Sequence, residues 1–128
     1  MLSGDYGTIE DIKFNDMIIQ FQSIPENDIL GFKGGEGMMH SRAYFDGTNR
    51  IMLNRLESGA SAGEHLHDVN CEFIYVIEGE LSCIENGRSE VCHAGELHYC
   101  LQGDKHSYVN TSDSITTFLA IVPAQPPK

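Results

Sequence analysis

The stretch GASAGEHLHDVNCEFIYVIEG, Gly59–Gly79, decides how this chain is to be read. Two histidines, His65 and His67, flank one leucine, and Glu72 follows five residues after the second. On a β-strand, residues i and i+2 point to one face and lie roughly 6.5–7 Å apart along the chain. Two imidazoles at that spacing can lean onto a single ion through bonds of about 2.1 Å, while Leu66 points the other way. Asp68, Val69 and Asn70 are residues that let the chain reverse, so Glu72 opens the next strand beside the histidines. An H-x-H pair near a turn is also what two surface histidines look like, and the flanking sequence has to separate the two readings.

Working outward, nearly every signal is of strand type. Arg50–Glu57 mixes apolar and polar residues in short alternation, and Phe73–Ile77 is an unbroken apolar run of β-formers, the pattern of a strand buried on both faces. Leu81–Ile84 and Arg88–Cys92 flank Asn86-Gly87, a pair that favours a two-residue hairpin because both central positions need positive φ. Further strands are expected in ELHYCL, HSYVN and SITTFLAIVP, and Met38–Phe45 reads as another. Turn signals recurring at short intervals predict an antiparallel sandwich or barrel. IEDIKFNDMIIQFQS fits either a strand pair or a short helix. GGEG, residues 34–37, lacks the lysine and Ser/Thr of a phosphate-binding loop and reads as a flexible turn.

Composition narrows the function classes. The 128 residues fit one domain and carry 19 acidic against 8 basic side chains, a formal charge of -11. Such a chain lacks the basic footprint of nucleic-acid binding, and an anionic membrane surface repels it. No stretch approaches the roughly 20 apolar residues of a spanning helix. The N-terminus shows no basic start followed by an apolar run, so the expected location is cytoplasmic. Cys71, Cys83, Cys92 and Cys100 form no C-x-x-C pair and are expected to be free, buried thiols.

With these strands in place, Gly59–Gly79 resembles the first motif of the cupin superfamily: G, five residues, H-x-H, three or four residues, E, six residues, G. Gly59, His65, His67, Glu72 and Gly79 fill it. GELHYCLQGDKHSYVN is similar to the second motif through Gly95, Gly103, His106 and Asn110, with Leu101 where the family usually has proline. The resemblance implies an all-β, single-domain double-stranded β-helix, a jelly-roll barrel. It also implies one divalent transition metal per chain held by His65, His67, Glu72 and His106. Mn, Fe, Ni, Zn and Cu all suit such a donor set. It implies a barrel over 37–123 and an N-terminal extension over 1–36 packing on the barrel or on a second copy; 124–128 is expected to be a flexible tail, since Pro126 and Pro127 cannot continue a ladder. A homodimer is the expected assembly.

The remaining candidates follow from strand faces. His98 and Cys100 share one face of their strand; they flank the cluster if that face is interior, although a hydrogen-bonded histidine in a packed strand is the commoner case. His40, Arg42 and Tyr44 share a face of Met38–Phe45 and line either a pocket or a solvated edge. Of Asn54 and Arg55, only one can point inward. Glu64 reads as a rim residue and His93 as a hairpin-end residue. His98, Tyr44 and Arg42 are carried as candidate catalytic residues, with Arg42 suited to a substrate carboxylate. Cupins that act on oxalate usually carry an inward arginine shortly before the first histidine. GASAGE has none, which weighs against oxalate unless Arg42 or Arg55 reaches the site. The expected function is a metal-dependent enzyme of dioxygenase, decarboxylase, isomerase or lyase type acting on a small oxygenated or carboxylate metabolite. The alternative is a non-enzymatic ligand-binding or sensing module.

Overall fold

The computed structural model describes residues 18–127. Ten strands follow one another in chain order: β1 (Asn27–Leu30), β2 (Met38–Phe45), β3 (Asn49–Leu56), β4 (Ser61–Leu66), β5 (Glu72–Glu78), β6 (Glu80–Glu85), β7 (Arg88–His93), β8 (Leu97–Cys100), β9 (Lys105–Val109) and β10 (Thr116–Pro123). They build a six-stranded sheet, β1-β2-β3-β10-β5-β8, and a four-stranded sheet, β4-β9-β6-β7. Every pairing among these strands is antiparallel, and the architecture is the two-sheet all-β fold expected from the turn spacing and the jelly roll implied by the resemblance. The β6–β7 hairpin turns at Asn86 and Gly87, both at positive φ (50° and 82°).

The core lies between the two sheets. Met39, Met52, Leu56, Ile74, Val76, Phe118 and Ala120 come from the larger sheet, and Ala62, Leu81, Cys83 and Tyr108 from the smaller. Period-2 alternation selects them: on β10 the inward residues Thr116, Phe118, Ala120 and Val122 are buried and their neighbours are not.

The same alternation corrects one expectation. Phe73–Ile77 is not buried on both faces, because Ile74 and Val76 are fully enclosed while Tyr75 and Ile77 remain 42% and 48% exposed. The strand lies inside its sheet, between β10 and β8, but no described element covers its outer face. All four cysteines are free and buried.

The glycine-rich loop is also tighter than a flexible turn. Phe32–Gly34 forms a 3₁₀ turn that packs directly on β4. A Cβ on Gly35 would lie 2.2 Å from the Ser61 carbonyl oxygen, and one on Gly63 would lie 2.2 Å from the Lys33 carbonyl oxygen. Two backbones touch where only hydrogen fits. The β4–β9 register shifts there, between Ala62 and His65.

Of the N-terminal stretch expected as strands or a helix, residues 1–17 lie outside the described residues. Phe21–Ser23 is a 3₁₀ turn and Asn27–Leu30 pairs with β2. At the other end, Ala124 bridges to Asn70, and the Gln125 N–H donates to the Val69 carbonyl. The Gln102 side-chain amide donates to the Asp68 and Pro126 carbonyls, tying this segment to the loop that carries His67.

Candidate metal centre

Four side chains from both sheets meet in the barrel interior. His65 is on β4, His67 directly follows it, Glu72 opens β5, and His106 lies on β9 opposite His65 in register. His106 Nε2 lies 3.0 Å from His65 Nε2, 3.1 Å from His67 Nε2 and 2.9 Å from Glu72 Oε1. Glu72 Oε1 is 3.1 Å from His67 Nε2 and 3.9 Å from His65 Nε2. Ligands bound to one ion at about 2.1 Å stand about 3.0 Å apart at right angles, so most of these separations suit adjacent corners about a common centre. Leu66 and Glu64, on the opposite face, are exposed.

The outer nitrogens of His65 and His67 settle what their inner ones offer. His65 Nδ1 lies 2.7 Å from the Gly63 carbonyl oxygen, which can only accept, so the proton sits on Nδ1. His67 Nδ1 likewise meets the side-chain oxygen of Asn70. His106 Nδ1 lies 3.0 Å from His98 Nε2. A neutral imidazole carries one N–H, so fixing it at Nδ1 leaves the Nε2 lone pair facing the cluster. Burial acts to raise the Glu72 pKa, whereas contacts with the ring nitrogens of His106, His65 and His67, whenever those nitrogens carry protons, hold it well below the ordinary carboxylate value. The quartet is therefore compatible with one metal ion.

The other predicted residues divide by sheet face. His98 is interior: it pairs with buried Ile74 across β5–β8, and burial followed by the charge of His106 lowers its pKa to about 4. Arg42 and Tyr44 are not brought to the quartet. On β2 they alternate with Met39, Ser41 and Ala43, which are buried on the inner face. Arg42 donates to the Ile24 carbonyl, and its Nε lies 4.0 Å from Glu26. Asn54 takes the inward position on β3 at 1% exposure, and Arg55 points outward to Glu26. Neither Arg42 nor Arg55 therefore supplies an inward arginine. Arg50 does share the inward side of β3 with Met52, and its guanidinium lies over the Phe45 ring at 4.6 Å. His93 stays at the surface, bonded to Glu96.

Sequence reasoning missed Gly63 and Asn70 as the groups that orient His65 and His67. The signal was present for Asn70, a turn residue three positions after His67 with a side-chain oxygen free to bond backward.

The family model for the cupin domain matches residues 52–122, more than half of the chain. The chain is a cupin. Both motif regions lie inside the matched segment, and the cupin's Leu101 leaves the second motif's turn closed, with the Asp104 N–H donating to the Leu101 carbonyl at 3.0 Å. Asn110, the last residue of that motif, donates from its side-chain amide to the Leu56 and Ser114 carbonyls and acts as a clamp between strand ends. The cupin is 26% identical to the oxalate-binding protein of Thermotoga maritima, across 83% of this chain and 93% of that one. It is similar to the crystal structure of a predicted oxalate decarboxylase from Thermotoga maritima, at a TM-score of 0.79 and 25% identity, covering 84% of this chain and 99% of the other. A sugar phosphate isomerase of the cupin superfamily from Silicibacter pomeroyi shares the fold, at a TM-score of 0.70 and 23% identity over 85% of this chain and 76% of its own.

Proposed function

We propose that this cupin binds one divalent transition-metal ion through His65, His67, Glu72 and His106, and that the loaded site takes a small carboxylate-bearing or oxygenated metabolite. The observation that carries the reading is the convergence of three Nε2 atoms and one carboxylate oxygen, with each outer ring nitrogen held by its own partner. Three lone pairs aimed at one another without a cation between them would repel. A divalent ion held there supplies a Lewis acid that polarises the oxygens of its ligand. With one carboxylate among four ligands, the loaded centre keeps a net positive charge suited to an anion.

A small carboxylate is supported by the relative named for oxalate binding. Among the described residues, two side chains are candidates for a second positive group: Lys33, whose charge acts on His67, and Arg50. Arg50 stands opposite Val122 in register, one residue along β10 from the Phe73–Ile121 pair, and so at the same level of the barrel as Glu72. Elemental analysis of protein purified without chelator tests the first half of the proposal; less than a tenth of an equivalent of any transition metal, with none taken up on addition, would overturn it. Calorimetry with oxalate on metal-loaded protein tests the second. We expect Arg50→Ala to weaken that binding about tenfold, or about 1.4 kcal/mol; unchanged affinity would remove Arg50 from the site.

Turnover is the second reading, favoured by the similar structure described as a predicted oxalate decarboxylase. His98 is the candidate of the three proposed catalytic residues that lies near the quartet. Carbon dioxide release from oxalate by loaded wild-type protein would favour turnover over binding. A homodimer belongs to the same proposal. The outer faces of β5 and β8 leave Tyr75, Ile77, Leu97, Tyr99 and Leu101 between 42% and 53% exposed on a strongly acidic chain, and a purely monomeric mass by light scattering would count against it.

A further inference from the structure

Two of the three cluster histidines are oriented by oxygen atoms, Gly63 O and Asn70 Oδ1. The third, His106, is oriented by another histidine. His98 Nε2 lies 3.0 Å from His106 Nδ1. The two ring planes differ by 17° and the ring centroids are 5.2 Å apart. That separation is nearly the nitrogen-to-nitrogen gap plus the two ring radii. The rings therefore lie end to end in almost one plane, as a straight N–H···N bond requires, and not face to face. His98 also belongs to the other sheet: it is on β8, and His106 is on β9. The only carboxylate oxygen within 4 Å of His98 Nε2 among the described residues is Glu85 Oε1, at 3.7 Å, beyond hydrogen-bond reach.

An oxygen acceptor fixes the proton of its histidine without ambiguity; an imidazole does not, because its nitrogen either donates or accepts. For His106 to present a lone pair from Nε2, its proton must sit on Nδ1. His98 must then accept through Nε2 and carry its own proton on Nδ1. We propose that His98 is a positioning residue: a neutral Nδ1–H imidazole that accepts the His106 Nδ1–H bond, fixes the tautomer and plane of His106, and couples the two sheets at the metal centre. This rests on the metal-binding reading above and adds to it a residue that touches neither ion nor ligand. It recasts His98, expected as a catalytic group, as the support of one.

The test uses full-length protein and zinc as the probe. Competition with a chromophoric chelator should give one tight zinc site in the wild type and a loss of about tenfold to a hundredfold in His98→Leu, the range for removing such a supporting partner. His98→Gln restores a side-chain acceptor and should recover most of the loss. If the leucine variant fails to fold, the wild type still decides. In zinc-loaded, nitrogen-15-labelled protein, scalar coupling across the hydrogen bond between His106 Nδ1 and His98 Nε2 should be visible, with His106 protonated at Nδ1. A packing role alone would produce neither the coupling nor the recovery by glutamine. A folded leucine variant with wild-type zinc affinity, or a His98 ring protonated at Nε2 in the loaded protein, overturns the inference. Wild-type protein that takes up no zinc or any other transition metal overturns the metal reading itself, a separate result.

Discussion

Among the described residues, two clusters bring potential cation ligands equally close together and differ in everything else. The interior quartet His65, His67, Glu72 and His106 and the outer trio Glu26, Asp28 and His40 each place one ligand atom per residue within 4.8 Å of the others. In the interior, every imidazole spends its outer nitrogen on a neutral partner and keeps the inner one for the centre. At the outer cluster, His40 spends both: Nδ1 lies 2.7 Å from Asp28 and Nε2 lies 2.7 Å from Glu57. Glu26 is already matched by two hydrogen bonds from Arg55. The outer trio is a satisfied ion-pair network that needs no further cation. Proximity of ligand atoms therefore says little, and the direction of the free lone pairs says most.

The largest effect that follows is on metal affinity. His106→Ala or Glu72→Gln should weaken binding by more than about a hundredfold, since even supporting partners are worth tenfold to a hundredfold. His40→Asn and Glu26→Gln should leave it within experimental error. A chelator competition across the four variants checks this. Equal losses at the two clusters would erase the distinction drawn between them.

The next effect concerns the backbone beneath His65. Gly63 both accepts the His65 Nδ1–H and touches the Lys33 carbonyl across the loop. Gly35→Ala would force a methyl to 2.2 Å from the Ser61 carbonyl, with backbone on both sides and no flexible side chain to yield. The expected cost is about 3 kcal/mol of stability, in the range for overpacking between fixed groups, together with weakened metal binding. Denaturant melts with and without zinc measure both. Gly34→Ala is the contrast, because nothing lies within 4 Å of a Cβ there; only the strain of its left-handed φ of 81° opposes it, so its cost should be smaller.

These two regions were not equally legible in the sequence. His65, His67 and Glu72 were readable because their spacing is local: H-x-H places two rings on one strand face, and a turn brings the carboxylate back beside them; His106, 39 positions after His67, was assigned through the resemblance to the second cupin motif. The faces of the flanking strands were not. His40, Arg42 and Tyr44 alternate with apolar neighbours, and alternation separates two faces without saying which of them meets a site. The outer one is occupied here by residues far away in sequence, Ile24, Glu26 and Asp28, which gives polar side chains partners that no local pattern encodes. His98 was ambiguous for the same reason. Its strand alternates Leu97, His98, Tyr99, Cys100, and the larger hydrophobic residues face outward, because the interior at that level belongs to the histidine cluster. The close contact of Gly35 with Ser61 joins segments 26 positions apart, and a glycine-rich loop looks flexible until its neighbour is known.

The smallest expected effect is the outer cluster's own signature, a pH dependence of stability. Hydrogen bonds to Asp28 and then Glu57 raise the pKa of His40 above its ordinary value of 6.5, against an opposing contribution from burial. Folding therefore favours the protonated ring. The stabilisation is fully present below the pKa of the unfolded chain and is lost as pH rises through the higher value of the folded state. The partners are well exposed, Asp28 at 65% and Glu57 at 48% of the side chain, so solvent screens the attraction. About 1 kcal/mol is the most that such pairs return. Against His40→Asn, the wild type should be more stable by up to that amount near pH 6, and the difference should shrink steadily above the ordinary histidine range. Chemical denaturation of both proteins at a series of pH values gives this curve directly. A difference that grows with rising pH would mean that His40 is neutral between its two carboxylates, and the outer cluster would then have a lone pair to offer after all.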